Sequence, residues 1–184
     1  MLIIIGHPDI EYSLVNKRWI EEVKKFPEKF TVHELYQSYP DGKIDVEKEQ
    51  ALVEVQGSLI WQFPVYWFNC PPLMKQWFDD VLTYGWAYGS RGTQLKDRKI
   101  GLAVSMGSLE QDYQAPYDLT AVLRPYEMTL HYVKANYQGA FSLFGANTDA
   151  SLVTITPQAI NQSAADFIEF LNKFYNMLNH EQGY

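Results

Sequence analysis

The sequence predicts an α/β fold in which helices cover both faces of a doubly wound, five-stranded parallel sheet. Two observations support this prediction: short apolar runs recur along the chain, and stretches with a helical spacing of apolar residues separate them. Such runs are typical of strands buried on both faces, and their alternation with helices is typical of a parallel sheet. The 184 residues contain no repeat and no linker, so we expect a single domain over residues 1–184.

Three strands and two helices are predicted in the first part of the chain. The apolar run Leu2–Ile5 is the first strand, and a polar loop then leads to Ser13, which we expect to cap the first helix. Apolar residues recur at helical spacing in that helix, namely Val15, Trp19, Val23 and Phe26. The elements that follow are a strand over Phe30–Tyr36, a turn over residues 39–42, a helix over Val46–Gln56 and a strand over Ser58–Phe63.

The remainder of the chain completes the predicted sheet. A helix is expected to begin near Pro72, because proline is favoured in the first helical turn. Thr156 followed by Pro157 is a helix start signal, and the apolar stripe after it continues as far as Leu178. The elements between these helices are a strand over Lys99–Ser105, a helix over Tyr117–His131 and a strand within Val133–Leu143. Five strands and about five helices suit a flavodoxin-like strand order.

Composition and charge exclude several classes of protein. A net charge of −7 disfavours general nucleic-acid binding, because an acidic surface repels phosphate backbones. No apolar run approaches the ~20 residues of a membrane span, and the first residues lack the features of a signal peptide. Cys70 is the one cysteine in the sequence, so no intramolecular disulfide can form, and we expect a cytoplasmic protein. The scattered histidines predict no metal site.

The topology itself points to the candidate functional site. In doubly wound sheets, ligands bind beyond the carboxyl ends of the strands, near the first and third strands in flavodoxin-like folds. Three loops follow strands at that edge: His7 to Ser13, Pro64 to Pro72, and Ser105 to Tyr113. We therefore expect their residues to meet around one ligand.

The first loop is a candidate phosphate site, because it ends at a helix N-terminus. Free N–H groups and the helix dipole favour a bound anion there. The donors would come from Ser13, Leu14, Val15 and Asn16, with His7 as a further donor. The alternative is that Ser13 only caps the helix. No P-loop or dinucleotide-binding fingerprint is present.

The other two loops suit a flat ligand. Aromatic residues make up 15% of the chain, and three of them are consecutive in the second loop, as Tyr66, Trp67 and Phe68. They would stack on a planar ring or, equally well, pack on helices or on a dimer partner. In the third loop, Ser105-Met106-Gly107-Ser108, the glycine allows close approach of a ligand, although an ordinary strand-to-helix turn is as good an interpretation. The third loop lacks the G-x-S-x-G motif of a nucleophile elbow, so a serine hydrolase is disfavoured.

Several stretches of the sequence match one known family. They are Ile4-Ile5-Gly6-His7-Pro8, Ser13 with Asn16-Lys17-Arg18, Leu35-Tyr36-Gln37, Tyr39-Pro40-Asp41, Trp61-Gln62-Phe63-Pro64 with Trp67, Pro71-Pro72-Leu73 with Lys75 and Trp77, and Gly85–Gly89. These stretches resemble the NAD(P)H quinone oxidoreductases of the flavodoxin-like fold. The similarity is greatest to the bacterial branch that contains general stress NAD(P)H oxidoreductases and the ancillary proteins of glutathione-gated potassium efflux.

The resemblance implies a bound flavin, which is FMN in the bacterial branch and FAD in the animal enzymes. By position, His7, Ser13, Leu14, Val15 and Asn16 would hold the phosphate and ribityl chain. The isoalloxazine ring would lie on Pro64, Val65, Tyr66, Trp67 and Phe68, and Ser105, Met106, Gly107 and Ser108 would close over its other edge. Two departures from the family pattern are Ser108, where a second glycine is usual, and Phe63, where histidine is usual.

The family also implies an activity, namely two-electron ping-pong hydride transfer from NAD(P)H through FMN to a quinone or a similar flat acceptor. Gly107 would supply a main-chain donor to the reduced ring, and Tyr113 is the nearest match to an assisting tyrosine of the animal relatives. A homodimer is typical of the family. The alternative function is that of an FMN-binding ancillary subunit that docks on a membrane potassium-efflux protein. The sequence does not distinguish NADH from NADPH.

Overall fold

Five parallel strands form the central sheet of the computed structural model, which describes residues 1–147, 149, 152 and 154–176. The strands are β1 (Leu2–Ile5), β2 (Thr31–Glu34), β3 (Ser58–Pro64), β4 (Lys99–Ser105) and β5 (Asn136–Leu143). They lie in the order β2-β1-β3-β4-β5. This is the flavodoxin-like order, and it confirms the predicted fold class.

Helices cover both faces of this sheet. They are α1 (Val15–Val23), the short α2 (Leu35–Ser38), α3 (Val46–Glu54), α4 (Pro72–Val81), α5 (Leu119–Tyr132) and α6 (Pro157–Asn176). On one face, α1 and α6 pack together over a core that contains Trp19 and Phe167. On the other face, α3, α4 and α5 enclose a second core around Trp61 and Trp77. None of the helices in the described residues has the length and apolar character needed to cross a membrane.

The element bounds differ from the predicted ones where pairing or capping ends an element early. The predicted strand Phe30–Tyr36 is too long, because β1 ends opposite Glu34 and the chain turns into α2 once that partner is lost. Helix α1 ends at Val23, so Phe26 lies in the turn beyond it. Helix α5 begins at Leu119 instead of Tyr117, because the Asp118 side chain accepts the N–H of Ala121.

Two predicted helix starts are confirmed. The Ser13 Oγ accepts the N–H of Asn16 at 3.0 Å, which is the capping bond expected for α1. The Thr156 Oγ1 accepts the N–H of Ala159 at 3.1 Å, and α6 begins at Pro157. The predicted end of that helix, Leu178, lies outside the described residues.

Candidate functional site

A cleft lies at the carboxyl edge of the sheet, beyond the ends of β1, β3 and β4. The three predicted loops supply most of its walls, and the segment after β5 supplies the rest. Its lining residues are His7, Tyr12, Ser13, Leu14, Val15, Asn16, Pro64, Val65, Tyr66, Ser105, Gly107, Ala146 and Asn147.

The start of α1 presents free N–H donors to this cleft. Ser13 caps the helix through Asn16, whereas the N–H groups of Leu14 and Val15 have no acceptor within the described residues. The first N–H groups of a helix point along its axis and are reinforced by the helix dipole. This wall of the cleft is therefore suited to an anion such as a phosphate group.

His7 adds a neutral donor to the same wall. Its Nδ1 accepts the N–H of Asp9 at 3.1 Å, so the ring proton is on Nε2. Burial lowers the pKa of His7 to about 4, and the nearby Asp9 only partly opposes this effect. At neutral pH the imidazole is thus uncharged, and Nε2–H is a hydrogen-bond donor.

A buried polar network orients the floor of the cleft. The Asn16 Nδ2 donates to the Ser105 Oγ at 2.8 Å, and the Gln62 Nε2 donates to the Asn16 Oδ1 at 3.2 Å. Asn16 is 1% exposed and Gln62 is fully buried. Because the Ser105 oxygen accepts from Asn16, the Ser105 hydroxyl hydrogen is free to donate toward the cleft.

Gln62 belongs to this network but was not predicted from the sequence as a site residue. The signal in the sequence was a single amide within the apolar strand Ser58–Phe63, and a buried amide needs polar partners. The other missed residues are Tyr12 in the first loop and Ala146 and Asn147 after β5. The last two reach the cleft because β5 pairs in parallel with β4 and ends at the same edge.

The aromatic loop is only partly in the cleft. Pro64, Val65 and Tyr66 line it, whereas Trp67 and Phe68 lie outside the lining and are 93% and 65% exposed. The Tyr66 N–H donates to the Asn69 carbonyl at 2.7 Å, and the Asn69 N–H donates back at 3.0 Å. This tight turn directs the two aromatic side chains at its tip toward solvent.

Three further predicted residues lie outside the lining. The Met106 side chain is buried, its N–H donates to the Leu143 carbonyl, and its own carbonyl accepts the N–H of Ala146. The Ser108 carbonyl accepts the N–H of Gly145. Tyr113 is half-buried, with its ring packed against Phe144 at a centroid distance of 5.3 Å. Of the residues Ser105 to Ser108 in the third loop, Ser105 and Gly107 line the cleft. The Gly107 N–H has no acceptor within the described residues.

The chemistry of the cleft suits an anionic ligand that carries a flat ring. The described lining contains no carboxylate side chain, and its donors are main-chain N–H groups, hydroxyls and the His7 imidazole. Val65 and Tyr66 add apolar and aromatic surface to the same lining. A flavin mononucleotide has this combination of a phosphate group and a planar ring.

Comparison with known proteins assigns the family. A model of the family described as having a flavodoxin-like fold matches residues 1–169. The chain belongs to this family.

Two relatives in Bacillus subtilis (strain 168) resemble the chain over nearly its full length. The uncharacterized NAD(P)H oxidoreductase YrkL is 40% identical over 92% of this chain and 96% of its own. General stress protein 14 is 40% identical over 94% of this chain and 97% of its own.

A solved structure that is similar to this chain contains FMN. It is general stress protein 14 of Treponema denticola in complex with FMN, which is 49% identical, has a TM-score of 0.86, and matches over 94% of this chain and 97% of that one. The potassium-efflux ancillary protein KefF of Citrobacter koseri is 37% identical over 78% of this chain and 82% of its own. These relatives confirm the resemblance to the bacterial branch.

Proposed function

We propose that this chain is an FMN-dependent NAD(P)H:quinone oxidoreductase that acts by two successive half-reactions. The observation that supports it most strongly is the cleft at the switch point, which is lined both by the start of α1 with its free N–H donors and by Val65 and Tyr66. Similarity to an FMN-bound relative at 49% identity supports the choice of FMN over FAD. When bound, the flavin supplies two-electron transfer between a nicotinamide and an acceptor.

The start of α1 would hold the phosphate. The N–H groups of Leu14 and Val15 and the Ser13 hydroxyl are the donors, and His7 Nε2–H adds another that stays uncharged at neutral pH. Donors that are fixed before the ligand arrives bind an anion without the cost of ordering flexible side chains. No lysine or arginine lines the described part of the cleft, so the backbone would provide most of the attraction.

The remaining lining would position and polarise the ring. Val65 and Tyr66 provide a surface on which a flat ring can rest, and the Ser105 hydroxyl is oriented by Asn16. The free N–H of Gly107 would stabilise negative charge that develops on the reduced ring. Because the cleft is open to solvent, a nicotinamide and then a flat acceptor would occupy the same position in turn, which is the physical basis of a ping-pong sequence.

A second candidate function is that of an FMN-binding ancillary subunit of a glutathione-gated potassium-efflux system. The similarity to KefF favours it. In either case we propose a cytoplasmic homodimer, in line with the family resemblance. A pull-down with a membrane potassium-efflux protein distinguishes the candidates, because only the ancillary function requires that contact.

An anaerobic absorbance titration tests the enzymatic proposal. The purified protein is loaded with FMN, reduced with NADPH or NADH, and then given menadione. We expect the flavin band to bleach with the nucleotide and to return with the quinone. A bound flavin that neither nucleotide bleaches would overturn the oxidoreductase proposal and favour the ancillary function.

A further inference from the structure

The turn over Tyr66–Asn69, called the aromatic turn below, has a backbone conformation that is costly for its residues. Trp67 and Phe68 have φ angles of 48° and 61°. Two-residue turns with positive φ at both central positions usually contain asparagine and glycine, because a large side chain collides with the backbone there. A turn of this kind persists only where its surroundings hold it in place.

The Tyr126 hydroxyl ties the exit of this turn to α5, in addition to the paired main-chain hydrogen bonds between Tyr66 and Asn69. It donates to the Asn69 Oδ1 at 2.8 Å and accepts the N–H of Cys70 at 2.7 Å. The Asn69 Oδ1 also accepts the N–H of Cys70, at 2.9 Å. One hydroxyl on α5 thus binds both the last residue of the aromatic turn and the residue after it.

Tyr126 is itself held rigidly. It is 5% exposed, and its ring packs against Phe63 and Phe78 at centroid distances of 5.1 and 6.0 Å. The entry to the aromatic turn is fixed separately, by the N–H of Val65 donating to the Ser105 carbonyl at 2.8 Å. Replacement of the tyrosine by phenylalanine would keep the ring packing and the entry bond and would release only the exit.

We propose that Tyr126 is a positioning residue that fixes the aromatic turn at the mouth of the cleft. The Tyr126 side chain is not among the residues that line the cleft, so it would act on a ligand only through the aromatic turn. The inference rests on the proposed function in one respect: Tyr66, at the start of the turn, is a residue that would contact the flavin. Loosening the exit frees Asn69, and its paired main-chain hydrogen bonds with Tyr66 pass this motion to the rest of the turn.

The test compares Tyr126→Phe with a control variant, Tyr137→Phe. The control also removes the hydroxyl of a half-buried tyrosine, but Tyr137 lies on β5, away from the turn. Flavin-free proteins labelled with 5-fluorotryptophan are studied by fluorine NMR. Trp67 is 93% exposed, whereas Trp19, Trp61, Trp77 and Trp86 are buried. The Trp67 resonance is the one that is missing from the spectrum of Trp67→Phe. We expect Tyr126→Phe to narrow the Trp67 resonance, because the loosened turn moves faster, and to leave the Trp19 resonance unchanged.

The second readout is the dissociation constant for FMN. The net contribution of one hydrogen bond corresponds to about a fivefold change in an equilibrium constant, so Tyr126→Phe should weaken FMN binding about fivefold. Tyr137→Phe should leave both readouts as in the wild type. An unchanged Trp67 resonance, or an unchanged FMN affinity, in Tyr126→Phe overturns the inference while the proposed function stands. Failure of the wild type to bind FMN overturns the proposed function, and the Trp67 resonance then decides alone whether Tyr126 holds the turn.

Discussion

Glu49 is a fully buried carboxylate, and we expect its replacement by alanine to lower the Tm of the protein strongly. It accepts hydrogen bonds from the Tyr39 hydroxyl at 2.6 Å, from the Trp77 Nε1 at 2.7 Å and from the His33 Nε2 at 2.7 Å. Glu49→Ala leaves these donors without an acceptor in the core. Breaking a buried charge network costs about 3–5 kcal/mol, which for a chain of this size lowers the Tm by about 9–15 °C.

Thermal unfolding followed by circular dichroism measures this effect, and Glu54→Ala is the matched control. Glu54 lies on the same helix, is exposed and accepts one bond, from the Trp86 Nε1 at 2.7 Å. We expect the control to lower the Tm by about 3 °C, because one partly buried hydrogen bond contributes about 1 kcal/mol. A Glu49→Ala protein as stable as the Glu54→Ala protein would refute the reasoning.

The same network predicts how stability depends on pH. Burial alone would raise the pKa of Glu49, but hydrogen bonds from His33, Tyr39 and Trp77, with the electrostatic attraction to His33, together outweigh burial and lower the pKa from its ordinary value of 4.5. A lowered folded-state pKa means that the stabilisation is present above pH 4.5 and is lost as the pH falls through the folded value. The Glu49→Ala variant should therefore lose less stability than the wild type in this acid range.

Three further predictions concern the cleft. An NMR titration of His7 should give a pKa of about 4, and a pKa near 6.5 would contradict this prediction. Because the folded-state pKa is lowered, the free energy of unfolding should fall as the pH drops from 6.5 toward 4. This pH dependence should be absent in His7→Asn. Asn16→Leu should weaken FMN binding about tenfold, because it removes the partner that orients the Ser105 hydroxyl; an unchanged dissociation constant by calorimetry would contradict this. Tyr113→Phe should keep kcat within about twofold, because Tyr113 packs on Phe144 outside the cleft; a loss of about 100-fold would instead support acid–base catalysis by Tyr113.

Much of the fold was predictable because buried strands and amphipathic helices leave local patterns in the sequence. The apolar run Leu2–Ile5 became β1, and the capping residues Ser13 and Thr156 lie at helix starts as expected. The end of β2 was not predictable in this way. It depends on where β1 stops, which is a pairing between distant residues and not a property of the local sequence.

The position of the candidate site was predictable from topology, but its details were not. The switch-point rule located the three loops whose residues line the cleft. The network of Gln62, Asn16 and Ser105 joins three separate elements, so only the folded structure shows it. The outward direction of Trp67 and Phe68 depends on the tight turn between Tyr66 and Asn69, and the sequence did not predict that turn because large residues rarely adopt positive φ angles.

The central claim is that the start of α1 binds the phosphate of a flavin, and calorimetric titration with FMN and with riboflavin tests it most directly. Riboflavin has the same ring but no phosphate group. Each charge-assisted hydrogen bond contributes about 1.5–3 kcal/mol, so the free N–H groups of Leu14 and Val15 predict that FMN binds at least about 100-fold more tightly. Equal affinity for FMN and riboflavin would contradict the account.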